Sequence, residues 1–147
     1  MGFLCKNKGA GGEHIAMGDA TYKGYIVSKT TESDLMCYDF VLDDGNKLYR
    51  VEVKTSDYGR GFEDRAVFNL SRRNTKITKY YYVDYFALVC PKLNKIAWIK
   101  SNEYQGRSRI TIKDTEFKHF LLPENTILLK MKLNDSNIID KQTYLFD

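Results

Sequence analysis

Two carboxylates and a lysine stand out in the run YDFVLDDGNKLYRVEVKT, where Glu52 follows Asp39 by thirteen residues and Lys54 follows Glu52 by two. The dipeptide Asp44-Gly45, set between β-rich runs, is a strong hairpin signal. A two-residue turn at Asp44-Gly45, or equally a four-residue loop of Asp43 to Asn46, places Asp39 opposite Arg50. Side chains alternate with period two, so Leu48, Arg50, Glu52 and Lys54 share the face of Asp39, while Tyr49, Val51 and Val53 join Phe40 on the other. Glu52 is then the diagonal neighbour of Asp39, roughly 7–8 Å away, near enough for both acids to converge on one cation.

That combination suits hydrolysis of a phosphodiester. The scissile phosphate is anionic and repels hydroxide, and a hard divalent cation offsets both obstacles. Magnesium prefers oxygen ligands and keeps several waters, so Asp39, Glu52 and the backbone carbonyl of Val53 between Glu52 and Lys54 suffice as protein ligands. A lysine beside the metal positions the attacking water, or takes its proton where neighbours lower the lysine's own pKa.

Several elements must hold these residues. Ala16, Met17 and Ala20 recur at helical spacing between Glu13 and Lys23, with Gly24 as a stop, so a helix is expected over 13–23. Glu13 belongs to the same stripe and is a fourth candidate, although acids also favour first helical turns for electrostatic reasons alone. Residues 1–12 are Gly-rich, lack periodicity and read as a flexible arm. Strands are expected at CYDFVL, KLYRVEVKT, AVFNLS, DYFALVC, KIAWIKS and RSRITIK, with DYFALVC pairing with KIAWIKS across Pro91 to Asn94. ILLKMKL, residues 127–133, suits strand or helix equally. The expected fold is α/β, or α+β by stricter naming: a mixed, mostly antiparallel sheet of about five strands with the helix on one face.

These residues resemble the PD-(D/E)XK nuclease superfamily, through Glu13, Asp39 and Glu52-Val53-Lys54. With the flanking stretches GEHIAMGDATYKGYIV and RRNTKITKYYYVDYFALVCPKLNKIAWIK, the hairpin run looks like the small PD-(D/E)XK homing endonucleases encoded in group I introns. Those enzymes are themselves similar to archaeal Holliday junction resolvases. The resemblance spans about Glu13 to Ser101 and implies a restriction-endonuclease-like fold and cleavage of double-stranded DNA with Mg2+. It also implies the roles: Asp39 and Glu52 as metal ligands, Lys54 positioning water, Glu13 assisting metal or water from the helix. Tyr38 stands where the name-giving proline would be. Asp34 competes with Asp39 as the motif acid, and Asp39 is preferred because the hairpin gives it the right face.

The DNA partner needs bases. Arg72, Arg73, Lys76 and Lys79 fall without an intervening acid between Ser71 and Tyr82, and Asn74 among them can donate to phosphate or base edges. Lys6 and Lys8 in the arm, Arg50 in the hairpin, and more weakly Arg107 and Arg109 complete the candidates. A solvated loop face explains part of this pattern equally well. Net charge is +4 overall, but residues 114–147 carry −2, so the first 113 residues carry +6 and hold the electropositive surface.

Length bounds the rest. With 147 residues, one nuclease domain is expected over 13–147, with its core in 13–101 and a C-terminal part available for oligomerisation. Cutting two strands with one site per chain calls for a homo-oligomer, dimer or tetramer, and Ile127 to Leu133 is the candidate interface. No apolar run approaches the roughly 18 residues that span a bilayer, and no signal peptide is evident, so the expected location is cytoplasmic, away from membranes. Three scattered cysteines give neither a disulfide framework nor a zinc site. A Holliday junction resolvase is the rival activity, and a DNA-binding protein that lost catalysis the rival class.

Overall fold

The structure, a computed structural model, describes residues 2–29, 38–56, 58–59, 62–70, 83–128, 130–131 and 133–135. Helix α1 (Gly2–Tyr22) is followed by β1 (Ile26–Lys29), β2 (Phe40–Asp43), β3 (Leu48–Thr55), β4 (Tyr58–Gly59), β5 (Phe62–Asn69), β6 (Tyr85–Cys90), β7 (Lys95–Lys100) and β8 (Arg109–Lys113). Short 3-10 helices lie at Pro91–Leu93, Ser101–Tyr104 and Asp114–His119.

The strands form a principal sheet in the order β1-β2-β3-β6-β7 and a second sheet in the order β4-β5-β8. Within the principal sheet β3 and β6 pair in parallel and the other neighbours are antiparallel. The expected mixed α/β sheet of five strands is therefore present. The second sheet was not foreseen: RSRITIK, as β8, pairs with β5 instead of extending the first sheet. Alternation reveals which face of a strand is apolar, not which strand it joins.

Two apolar layers hold the principal sheet. On one side Ala16 and Ala20 of α1 pack with Phe40, Leu42, Val51, Ala87, Val89 and Trp98. On the other, Phe86, Leu88, Cys90, Ala97 and Ile99 meet Ala66 and Phe68 of β5, Ile110 and Ile112 of β8, and Phe117. The core thus continues well beyond Ser101, the end expected from the sequence.

The expected arm is also corrected. Residues from Gly2 onward are helical, so α1 begins eleven residues before Glu13. Gly12, Ala16 and Ala20 recur every four residues and are all buried, and a Cβ at Gly12 would stand 1.9 Å from Thr55 Oγ1. Gly12, within the stretch expected to be a flexible arm, is where the helix approaches β3. Each helical glycine costs about 1 kcal/mol relative to alanine, a cost that tertiary packing offsets. Gly24 closes the helix as expected: it adopts φ +92°, and the Tyr25 N–H returns to the Ala20 carbonyl at 3.1 Å. Trp98 Nε1 donates to Asp19 Oδ2 at 2.9 Å, tying α1 to β7.

The ambiguous C-terminal pattern is helical where described, at residues 126–128, 130–131 and 133–135. Buried Asn125 fixes its start. Its side-chain amide donates to the carbonyls of Gly24 and Asp44, and its Oδ1 accepts from the Ile127 N–H. No described helix is long and apolar enough to cross a membrane.

Candidate active site

The hairpin turn sets the register of the site. Asp44 Oδ1 accepts the N–H groups of Asn46 and Lys47 at 2.8 and 2.6 Å, and the Asp44 N–H donates to the Lys47 carbonyl at 3.2 Å. The loop is therefore Asp44 to Lys47, and Asp43 pairs with Leu48. This differs from the expected register by two positions: Arg50 opposes Val41, not Asp39. Because the slip is even, no side chain changes face. The same backbone bonds hold the Asp44 carboxyl below its ordinary range, with the Lys47 N–H the largest cause.

Asp39 stands immediately before β2 and is bound to β3 on both sides of Glu52. Its N–H donates to the Val51 carbonyl at 2.8 Å, and its Oδ2 accepts the Val53 N–H at 2.7 Å. Glu52, on the face opposite Val51, is only 5% exposed. A buried carboxylate needs a compensating charge, and Lys54 supplies one, with Nζ 3.3 Å from Glu52 Oε1. Asp39, Glu52 and Lys54 are thus assembled on the sheet face turned away from α1.

Glu13 is not assembled with them. It lies on α1, at the opposite face, and its Oε2 is 3.1 Å from Lys29 Nζ on β1. Among the described residues no group of three or more histidine, cysteine or acidic side chains converges as a metal-holding cluster. The protein ligand set at hand is the Asp39–Glu52 pair. That set fits magnesium, which is commonly held by one or two carboxylates together with substrate phosphates and water.

Arg50 is turned to a partner that sequence reading missed. Asp84, at the head of β6, accepts the Arg50 N–H at 2.8 Å on Oδ2, and the guanidinium Nε lies 3.7 Å from the same oxygen. The available signal was a charged residue opening the apolar run DYFALVC. Its target was hidden because parallel pairing of β3 with β6 joins residues 34 positions apart. Lys29 was missed likewise, since nothing local links it to Glu13.

Of the DNA candidates, Lys8 lies on the exposed side of α1, and Lys6 falls in the same helix with its side chain outside what is described. Arg72, Arg73, Asn74, Lys76 and Lys79 lie outside the described residues, as does Asp34. Arg109 is on the outer face of β8, and Arg107 stands over the Tyr104 ring at 5.7 Å. The tyrosines at the turn end pack against each other. Tyr49 and Tyr85 meet edge to face at 5.3 Å, and burial raises both phenols above their ordinary pKa, keeping them protonated.

Solved structures share this architecture. The bacterial homing endonuclease I-Ssp6803I superposes with a TM-score of 0.62 at 22% identity, over 73% of this chain and 76% of its own. The Holliday junction resolvase Hjc of Archaeoglobus fulgidus gives a TM-score of 0.50 at 13% identity, over 82% and 95%. No curated protein matches the sequence. The family model described as PD-(D/E)XK endonuclease matches residues 4–121, which includes all but the first two residues of α1, both sheets and every member of the Asp39, Glu52 and Lys54 group, and the chain belongs to that family.

Proposed function

We propose that this chain is a magnesium-dependent, site-specific double-strand DNA endonuclease of the homing type. One observation carries the reading: Asp39, Glu52 and Lys54 lie together on one face, with Glu52 buried and ion-paired to Lys54. Asp39 and Glu52, with the Val53 carbonyl, are the residues that would hold magnesium, which when bound supplies positive charge to the scissile phosphate. Lys54 is held at the edge of the carboxylate pair, where its ammonium donates to and orients the attacking water. Glu13 is assigned an assisting role from α1. Any such role is exerted from across the sheet, because its carboxylate is paired with Lys29 on the face that carries α1.

Binding would draw on Lys6, Lys8, Arg50 and the segment with Arg72, Arg73, Asn74, Lys76 and Lys79. Two strands must be cut, so we assign a homo-oligomer, dimer or tetramer. Its interface would use the C-terminal helical residues, where Ile127, Met131 and Leu133 are 45%, 53% and 65% exposed. We assign an intracellular location, in keeping with a DNA substrate. The test is cleavage of long linear duplex against a four-way junction in Mg2+. Sequence-specific cuts in the duplex are expected, whereas cutting governed by junction shape alone would favour a resolvase.

A further inference from the structure

We propose that Arg50 and Asp84 form a subsite for the DNA phosphate next to the scissile one, with Arg50 as the contact and Asp84 as its positioning residue. The inference rests on the nuclease reading above and adds to it the path of the substrate backbone. Arg50, Glu52 and Lys54 alternate along β3, so they form a row on one face, each roughly 6.6 Å from the next. That spacing is on the scale of one nucleotide step. A phosphate engaged at Asp39 and Glu52 therefore has its neighbour within reach of Arg50.

Asp84 makes this arginine different from an ordinary surface base. Its N–H donates to the Arg50 carbonyl at 2.9 Å, its Oδ2 accepts the Arg50 N–H at 2.8 Å, and the same oxygen faces Nε of the side chain at 3.7 Å. Asp84 is itself fixed. Its carbonyl accepts the N–H of buried Ser101 at 3.0 Å, and the Ser101 hydroxyl donates to the neighbouring Val83 carbonyl. The residues flanking β6 and β7 thus hold the root of Arg50 while its side chain remains 45% exposed.

The ion pair engages the Nε edge of the guanidinium. Its terminal nitrogens stay available for a phosphate, the anion that the planar fork binds with two parallel hydrogen bonds. An ion pair of this exposure is weak, so an arriving phosphate loses little by sharing the guanidinium with Asp84. The carboxylate fixes direction more than it neutralises charge.

The test uses the full chain and a duplex whose cut position has been mapped with the wild-type protein. Single neutral methylphosphonate linkages are placed one at a time around the cut, and single-turnover cleavage in Mg2+ is measured. Neutralising the linkage next to the scissile one should slow wild-type cleavage at subsaturating protein by roughly 10- to 100-fold. Arg50→Ala should show a loss of similar size on the unmodified duplex and almost no further loss on that one modified duplex. Arg50→Lys should recover only part, because an ammonium lacks the fork. Asp84→Asn retains an acceptor for the Arg50 N–H, and should raise KM several-fold with kcat within about twofold. Circular dichroism of each variant separates these effects from misfolding. The subsite is wrong if the Arg50→Ala and linkage effects multiply at every position, or if Asp84→Asn leaves KM unchanged. A wild-type chain that cuts no DNA in Mg2+ would instead remove the nuclease reading, and the subsite with it.

Discussion

The two faces of the principal sheet draw on alternate residues of the same strand, β3, and do opposite work. Toward α1, Val51 stands with Phe40 and Leu42, all fully buried in an apolar layer. Toward the other side, Arg50, Glu52 and Lys54 form a charged row, of which only Glu52 is buried. The contrast teaches that β3 serves as ruler and wall at once. Its odd positions anchor the strand so firmly that its even positions can hold charges at fixed spacing, including a buried acid that would otherwise be costly.

Changes on the two faces should therefore separate activity from stability. The largest effect is expected from Lys54→Arg, which keeps a positive charge beside buried Glu52 but not the ammonium that orients the water, and should reduce cleavage about 10²- to 10⁴-fold while shifting the melting temperature little, as seen by single-turnover assays beside thermal melts. Phe40→Ala should do the reverse, costing about 3–5 kcal/mol in urea unfolding, with specific activity of the folded fraction retained. Equal losses of stability and activity in both variants would erase the distinction between the faces. A smaller effect is expected where α1 meets β3: Gly12→Val places a branched side chain against Thr55 and should cost about 1–3 kcal/mol by overpacking. Asp44→Ala should cost about 1 kcal/mol through its lost turn bonds. Because the folded-state pKa of Asp44 lies below its ordinary 3.8, its contribution is complete above that value and is lost as pH falls through the lower folded pKa. The difference in stability between wild type and Asp44→Ala should accordingly vanish in acid.

The sequence made one face of this comparison readable and left the other half-hidden. Period-two alternation around Asp44-Gly45 placed Asp39, Glu52 and Lys54 together even though the register was two positions off, because an even slip preserves faces. The error itself came from the turn: the Asp44 carboxylate captures two N–H groups and moves the closing pair to Asp43 and Leu48, a choice that composition does not announce. The expected helix starts only at Glu13 because the Gly-rich stretch before it has no periodicity, whereas Gly12 is a packing position whose neighbour, Thr55, is far away in sequence. The second sheet and the Asp84–Arg50 contact depend on pairings between distant segments, and local patterns carry no information about those. Glu13 was on the correct helix, yet its ion pair with Lys29 could only be found once β1 was placed beside β2.

One comparison bears on the assignment above all others: DNA cleavage by wild type and by Glu52→Gln, with and without Mg2+, at matched folded protein by circular dichroism. Wild type should cut double-stranded DNA with Mg2+ and not with EDTA, and Glu52→Gln, isosteric and still folded, should be reduced by at least about 10²-fold. Undiminished Mg2+-dependent cleavage by folded Glu52→Gln would show that the Asp39, Glu52 and Lys54 face is not where the phosphodiester is broken.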